Sequence, residues 1–412
     1  MQQDPATVVT ASDAGIACRN VDLPPLGDAP TPGPLDGVLV ADFSRVLAGP
    51  YATMMLADLG ATVIKVEGPG GDDTRTWKPP VISDPEHGDI ATYYLSINRN
   101  KRSVVLDLTD PDDLETARRL AHRADVLVEN MKPGGMAKFG LDHASVAREN
   151  PSVVYCSISG FGSRGGAHLA GYDLLVQATS GLMSLTGEAD GTPYRAGVAV
   201  FDVLTGLHAA LAISAALRHR ERTGAGQLLE TNLLSVAMSA LVNQTEAYVA
   251  AGAVPHRMGN EHPSVFPYQP MPTQDGDLIV IAANDGQFRK LATVLGDPAM
   301  AEDPRFATMS DRITHRAEIE QRLRARLATR TAQEWYAAIT EVGVPCGPIN
   351  SVEGGVALAE ELGLEPVVRA DDDAAVPTVR NPVTWSATPP TYRRSPPPVG
   401  ADSDEVRAWL NG

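Results

Sequence analysis

Five short apolar runs alternate with polar and helix-forming stretches between Leu35 and Ser159, and this rhythm limits the fold more than any other feature. The first run, Val38 to Phe43 within "LDGVLVADFS", reads as a buried strand. "RVLAGP" follows, then an apolar helix over "YATMMLADLG" with Pro50 in its first turn. "ATVIKVE" is the second strand. A strand, a helix and a strand in that order need a crossover, so the two strands pair parallel. The pattern repeats with a strand over 103–109, a helix over "DPDDLETARRLAHRA", a strand over 125–130, a short helix over "DHASVAREN" and a strand over 152–159. Asp110 is placed to cap its helix, with Pro111 behind it. The spacing predicts an α/β domain built on a parallel sheet.

Beyond Asp202 the chain turns strongly helical, up to Gly224 and Gly226, which would stop the helix. A second apolar helical stretch is expected from near Glu230. Residues 253–275 are rich in Pro and Gly and read as a linker and functional loop. A strand over 277–283, a helix from Asp285 and a capping box of Thr331 and Glu334 predict a smaller α/β domain. The expected order is a mobile arm at 1–34, a large domain at 35–225 and a helical linker with its loop at 226–275. A small domain at 276–345 and a C-terminal segment at 346–412 complete it.

The net charge of −17 argues against a general nucleic-acid binder, which would show a basic face. It leaves room for a phosphate-bearing small ligand, since a few local cations suffice. Cys18, Cys156 and Cys346 are odd in number and far apart, which suggests neither a disulfide framework nor a zinc site and fits a reducing cytoplasm. No uninterrupted apolar run reaches the roughly 18–20 residues of a membrane span. The first residues lack the basic start and apolar core of a signal peptide. A cytoplasmic protein is expected.

Several stretches are candidates for chemistry. "GFGSRG", Gly160 to Gly165, has the glycine spacing of a dinucleotide loop, but no helix opens directly after it. "RVLAGP" puts backbone amides and a helix start at the carboxyl end of a strand, where anions bind, or is a simple tight connection. "NRNKRS", with Arg99, Lys101 and Arg102, either holds phosphates or is a solvated loop. Asp173, after Tyr172, is placed to cap a helix. His208 and His262 have no metal or triad spacing and read as structural. Asp202 stands alone in the apolar run "GVAVFDVLTGLHAALAI". It reads as a helix cap whose amides keep it ionised, or as a nucleophile, and the two roles are compatible on one carboxylate.

Taken together, "LDGVLVADFSRVLAGPYATMMLADLGATVIKVEGPGGDDTR", "INRNKRSVVLDL", "ADVLVENMKPGGMAKFGL", "NPSVVYCSISGFG", "GYDLLVQATSG", "RTGAGQLLETNLL", "ANDGQF" and "GVPCGPI" resemble, in order, the family III coenzyme A transferases. The resemblance spans roughly 35–400. It implies a Rossmann-like large domain and a small domain in a ring-shaped subunit, interlocked with its copy in a homodimer, with the C-terminal segment returning to the large domain. By that resemblance Asp202 matches the catalytic aspartate. Val46, Leu47, Ala48, Leu106, Asp107, Leu108, Thr109, Asn130, Met131, Lys132 and Lys138 match coenzyme A contacts, and Tyr172 and Asp173 match a pair beside the thioester. Gly68 stands where an arginine often meets the nucleotide. "GNEHPSVFPY" replaces the glycine loop of formyl-CoA transferase, and amides at Gly259 and Asn260 are expected to stabilise oxyanions. The implied reaction moves coenzyme A from an acyl-CoA donor to a carboxylic acid through an aspartyl anhydride and an aspartyl thioester. Coenzyme A is then a substrate, with no resident cofactor or metal and no nucleic acid or membrane partner. The alternative within the resemblance is an α-methylacyl-CoA racemase. It would need a histidine where Tyr172 stands, with Asp285 standing in for a glutamate; a tyrosine with a pKa near 10 is a poor proton exchanger at neutral pH.

Overall fold

The computed structural model describes residues 23–24, 32–84 and 88–412. Most of the arm expected at 1–34, with Cys18, lies outside them. The chain forms two compact units. The first holds the residues up to Ser180, Ala196–Glu246 and Glu365–Gly412; the second holds Gly181–Arg195 and Ala247–Leu364.

The first unit is a six-stranded sheet with helices between its strands. Its strands are β1 (Leu39–Asp42), β2 (Thr62–Glu67), β3 (Lys101–Val105), β4 (Val126–Glu129), β5 (Val154–Ser159) and β6 (Gln227–Asn232). They run in the order β3-β2-β1-β4-β5-β6, and every pairing is parallel. Helix α1 (Ala48–Asp58) joins β1 to β2, α2 (Pro111–Arg123) joins β3 to β4, and α3 (His143–Glu149) joins β4 to β5. Helices α4 (Asp173–Thr179) and α5 (Val200–Thr223) precede β6, and α6 (Leu233–Ala240) follows it. Asp110 caps α2 by accepting from the amides of Asp112 and Asp113. Gly224 ends α5 in a left-handed conformation at φ 78°, one that a glycine adopts without steric cost.

Five expectations change. The strand expected at 103–109 is β3, which starts and ends earlier. Asp107 accepts from the amide and hydroxyl of Thr109, and this turn closes the ladder. The helix expected from Glu230 begins only at Leu233, because Glu230 lies in β6 and pairs with Ser157. A short apolar run fits either state, and here the free edge of β5 decides. The sheet therefore extends past the boundary expected at 225. The boundary expected at 346 also moves, since Cys346 pairs with Val280 in the second unit. Finally, α5 is long and apolar enough to cross a membrane, with a mean hydropathy of 1.7 over its best window. Its Asp202 hides this from a search for unbroken apolar runs. Ala209, Ile213, Ala216 and Leu217 are buried on it, and it packs on α1, β5 and β6.

The stretch "NRNKRS" is neither a phosphate loop nor a solvated one: all six residues are buried. Arg99 makes a bidentate pair with Asp58 at 2.8 and 2.6 Å and donates to the carbonyl of Val379 at 3.0 Å. Lys101 reaches Asp42 at 3.1 Å. Arg102 donates to the Pro24 carbonyl and lies 3.6 Å from Glu405. Arg99 and Arg102 fasten the C-terminal segment to the first unit, and Lys101 fixes the end of β1. Asp402 accepts from the amide of Ser103, and the final helix, Ser403–Asn411, packs on α2 and β3.

The second unit is a three-stranded antiparallel sheet with helices on it. Strand β8 (Asp277–Ile281) lies between β7 (Tyr268–Pro272) and β9 (Cys346–Pro348). Its core gathers Phe266, Met271, Phe288, Leu323, Trp335 and Ile339. Thr331 and Glu334 form the expected capping box. Asp285 pairs with the fully buried Arg312 at 2.8 Å.

Removing one member of a buried ion pair leaves the other charged and unpaired. Arg99→Ala should therefore destabilise the first unit by about 3–5 kcal/mol. Arg99→Lys keeps the charge, loses the two-pronged contact and should recover only part of this. Urea titration followed by circular dichroism reads both.

Candidate active site

Strand β1 has β2 on one side and β4 on the other, and the strand order reverses there. In open parallel sheets the crevice beyond the carboxyl ends at such a reversal is where ligands bind. The loops that leave β1 and β4 here line a cavity of about 340 Å³. It brings together Val46, Leu47 and Ala48 from one loop, Asn130, Met131 and Lys132 from the other, and Tyr172 and Asp202.

The two loops are tied to each other. Asn130 accepts from the amide of Arg45 at 2.9 Å and donates to its carbonyl at 2.7 Å. Glu129 accepts from the amide of Met131 at 2.8 Å, and burial pushes its carboxyl up. Val46 has φ 67°, a left-handed conformation unusual for a β-branched residue. Leu47 offers no side-chain cap to α1, so the helix start is open to an anion.

Asp202 is not the cap of α5. The helix begins at Val200, and Asp202 sits within its first turn. The cap comes from Asp173, whose Oδ1 accepts from the amides of Phe201 at 2.7 Å and Asp202 at 3.1 Å. Gln177 donates to the other oxygen of Asp173 and accepts from the amide of Ala196 at 2.8 Å. Asp173 is thus buried beside the cavity instead of lining it. Among the described residues the Asp202 carboxylate has no hydrogen bond or ion pair. Burial, and then the neighbouring charge of Asp173, push its pKa up to about 7.

The "GFGSRG" loop follows β5 and opens no helix. Its Gly160 lines the cavity for a steric reason. A Cβ there would lie 2.3 Å from the Cα of Gly171, so the two backbones touch, and Tyr172 follows directly. Tyr93 is a residue that no sequence signal marked. Burial and then the charges of Asp202 and Asp173 push its phenol up to about 12, which places it in the field of both carboxylates.

The remaining candidates are not brought to the cavity. Leu106 is buried in the core, Asp107, Leu108 and Thr109 follow β3, and Lys138 lies over the ring of Phe139. The amide of Gly259 donates to the carbonyl of Gly187 at 3.0 Å, which removes it as an oxyanion donor. His208 bonds to the carbonyl of Leu204, and His262 accepts from the amide of Ser264.

Comparison with known proteins gives the family. Residues 35–403 match the profile of CoA-transferase family III. The chain is 46% identical over 382 residues to succinate–glutarate CoA-transferase of Agrobacterium fabrum, covering 92% of this chain and 96% of that one. It is 42% identical over 340 residues to succinyl-CoA:glutarate CoA-transferase of Mus musculus, covering 82% and 77%. The crystal structure of a CAIB/BAIF family protein from Brucella suis superposes with a TM-score of 0.84 at 41% identity, covering 92% of this chain and all of that one. The chain belongs to CoA-transferase family III and is an acyl-CoA:carboxylate CoA-transferase.

Proposed function

We propose that this enzyme moves coenzyme A between small dicarboxylic acids, with Asp202 as the covalent nucleophile. The observation that carries this is the position of Asp202, a carboxylate with no partner among the described residues, in the cavity at the strand-order reversal. The names of the succinate and glutarate transferases support a four- or five-carbon dicarboxylate pair.

Asp202 attacks the thioester carbonyl of the donor, and coenzyme A leaves as its thiolate. The product is a mixed anhydride of Asp202 and the donor acyl group. The thiolate then attacks the aspartyl carbonyl, which frees the donor acid and leaves an aspartyl–coenzyme A thioester. The acceptor carboxylate attacks that thioester, giving a second anhydride. The thiolate takes the acceptor acyl group from it and restores Asp202. Each step exchanges one acyl bond for another, so the thioester energy is kept and one difficult exchange becomes several easier ones. Coenzyme A is a substrate in this scheme.

The working form is proposed to be the interlocked homodimer. The outward apolar residues of the first unit, Leu211 on α5 at 69% exposed and Val242 after α6 at 67%, support a covering partner. Light scattering after size exclusion should give twice the mass of one chain, and a monomer at micromolar concentration overturns the dimer.

Asp202→Ala should lower transfer from succinyl-CoA to glutarate by more than about a thousandfold, the scale of losing a covalent nucleophile. Mass spectrometry of the intact wild-type chain incubated with succinyl-CoA should show a coenzyme A adduct on the Asp202 peptide. Full activity in the alanine variant refutes the assignment.

Only the ionised carboxylate attacks. A pKa of about 7 therefore predicts that kcat/KM climbs with pH through neutrality and levels off above it. Asp173→Asn keeps an oxygen for the two amides of α5 and removes the like charge. The acid limb of its profile should move to lower pH; an unmoved limb would show that Asp202 does not set it.

A further inference from the structure

Behind the cavity wall, Lys65 on β2 and Asp72 form an ion pair at 2.8 Å, with both side chains 1% exposed. Both charges are shielded from bulk solvent, and neither residue lines the cavity. What the pair touches is the loop after β1. Lys65 donates to the carbonyl of Ser44 at 3.0 Å. The Asp72 oxygen that meets Lys65, Oδ2, also accepts from the amide of Val46 at 3.3 Å. The other oxygen accepts from the amide and hydroxyl of Thr74 at 2.9 and 2.7 Å, and the amide of Asp72 donates to Glu67 at 2.8 Å. Asp72 is therefore held from three sides and has one hydrogen bond left for the loop. That bond falls on Val46, where φ is 67°. A β-branched side chain leaves this region unless its surroundings hold it there.

We propose that Lys65 and Asp72 are positioning residues, which hold Val46 in its left-handed conformation and so fix the coenzyme A-facing surface of residues 45–48. This rests on the assignment of the cavity to coenzyme A made above. The pair acts on binding and not on the covalent step, because Asp202 lies on α5 and makes no contact with it.

The test is steady-state kinetics with succinyl-CoA and glutarate on the full-length enzyme. Asp72→Asn should raise the KM for succinyl-CoA by about tenfold, the size of one released backbone strain, and change kcat less than twofold. In a Val46→Gly background the same substitution should change that KM less than twofold, since glycine has no strain to release. An equal rise in both backgrounds means that Asp72 acts on fold stability alone, and the proposal fails. Should Asp72→Asn not fold, Val46→Pro leaves the ion pair whole while removing the amide and forbidding the positive φ. It too should raise the KM for succinyl-CoA at least about tenfold, and an unchanged value overturns the proposal. Lys132→Ala separates this failure from failure of the site. Lys132 lines the cavity and has no hydrogen bond to Val46. If it raises the KM while Asp72→Asn and Val46→Pro do not, the positioning role is wrong and the site stands. If none of the three raises it, the site assignment falls and takes the inference with it.

Discussion

Asp42 ends β1 with its carboxylate fully buried, and much of the first unit is arranged around that charge. One oxygen accepts from the amide and hydroxyl of Ser44, and the other from Thr53 and Lys101. Burial opposes the charge, yet Lys101, Lys65 and these hydrogen bonds hold the Asp42 carboxyl below its ordinary value. Burial acts on Lys101 as well and brings its ammonium down to about 8. A buried pair of this kind is weak evidence for net stability, because desolvation cancels most of its attraction. What it supplies is geometry. Lys101 also donates to the carbonyl of Pro50 and to Asn98, and Lys65 to the carbonyl of Ser44. The strand end, the loop and the first turn of α1 are thereby fixed relative to one another, and the loop forms one wall of the cavity.

The sheet order is that of a dinucleotide fold, but the glycine fingerprint of that fold is missing from the first loop. The two facts agree once the loop's construction is known. A G-x-G-x-x-G turn gets its backbone close to a pyrophosphate by having no side chains. Here "RVLAGP" keeps its side chains and is stiffened from outside, by Asn130 on Arg45 and by Asp72 on Val46. The bulk of Val46 and Leu47 faces the cavity instead.

What the sequence revealed and what it hid divide along the range of the interactions. Asp110, the Thr331–Glu334 box and Gly224 act on amides within three residues or on their own φ, so their roles are visible locally. "NRNKRS" is misread because its partners are remote: Asp58 and Asp42 lie 41 and 59 residues before Arg99 and Lys101. Three cations in a strongly acidic chain look like a ligand site when their carboxylates are out of view. Tyr93 was illegible for the same reason, since only the fold brings it near Asp202 and Asp173. The place of the loop after β1 was legible because a parallel sheet fixes where its carboxyl ends point, whereas the loop after β4 was marked only by the family resemblance.

Asp202 shows where local reasoning stops. On the sequence, cap and nucleophile fit one carboxylate, because a cap keeps the charge and a nucleophile needs it. The structure separates them. A carboxylate that accepts two helix amides has its electron pairs engaged by the backbone. Asp173 takes that place on α5. Asp202, in the first turn of the helix and without a partner among the described residues, keeps its electron pairs free and becomes more basic, its pKa raised by burial and by the very charge that caps the helix. Nucleophilicity rises with basicity as long as a fair fraction stays ionised, and near neutral pH a pKa of about 7 leaves that fraction close to half. Two carboxylates at one helix start thus differ in their surroundings: one is engaged by the backbone, and the other keeps its electron pairs free for the attack proposed above.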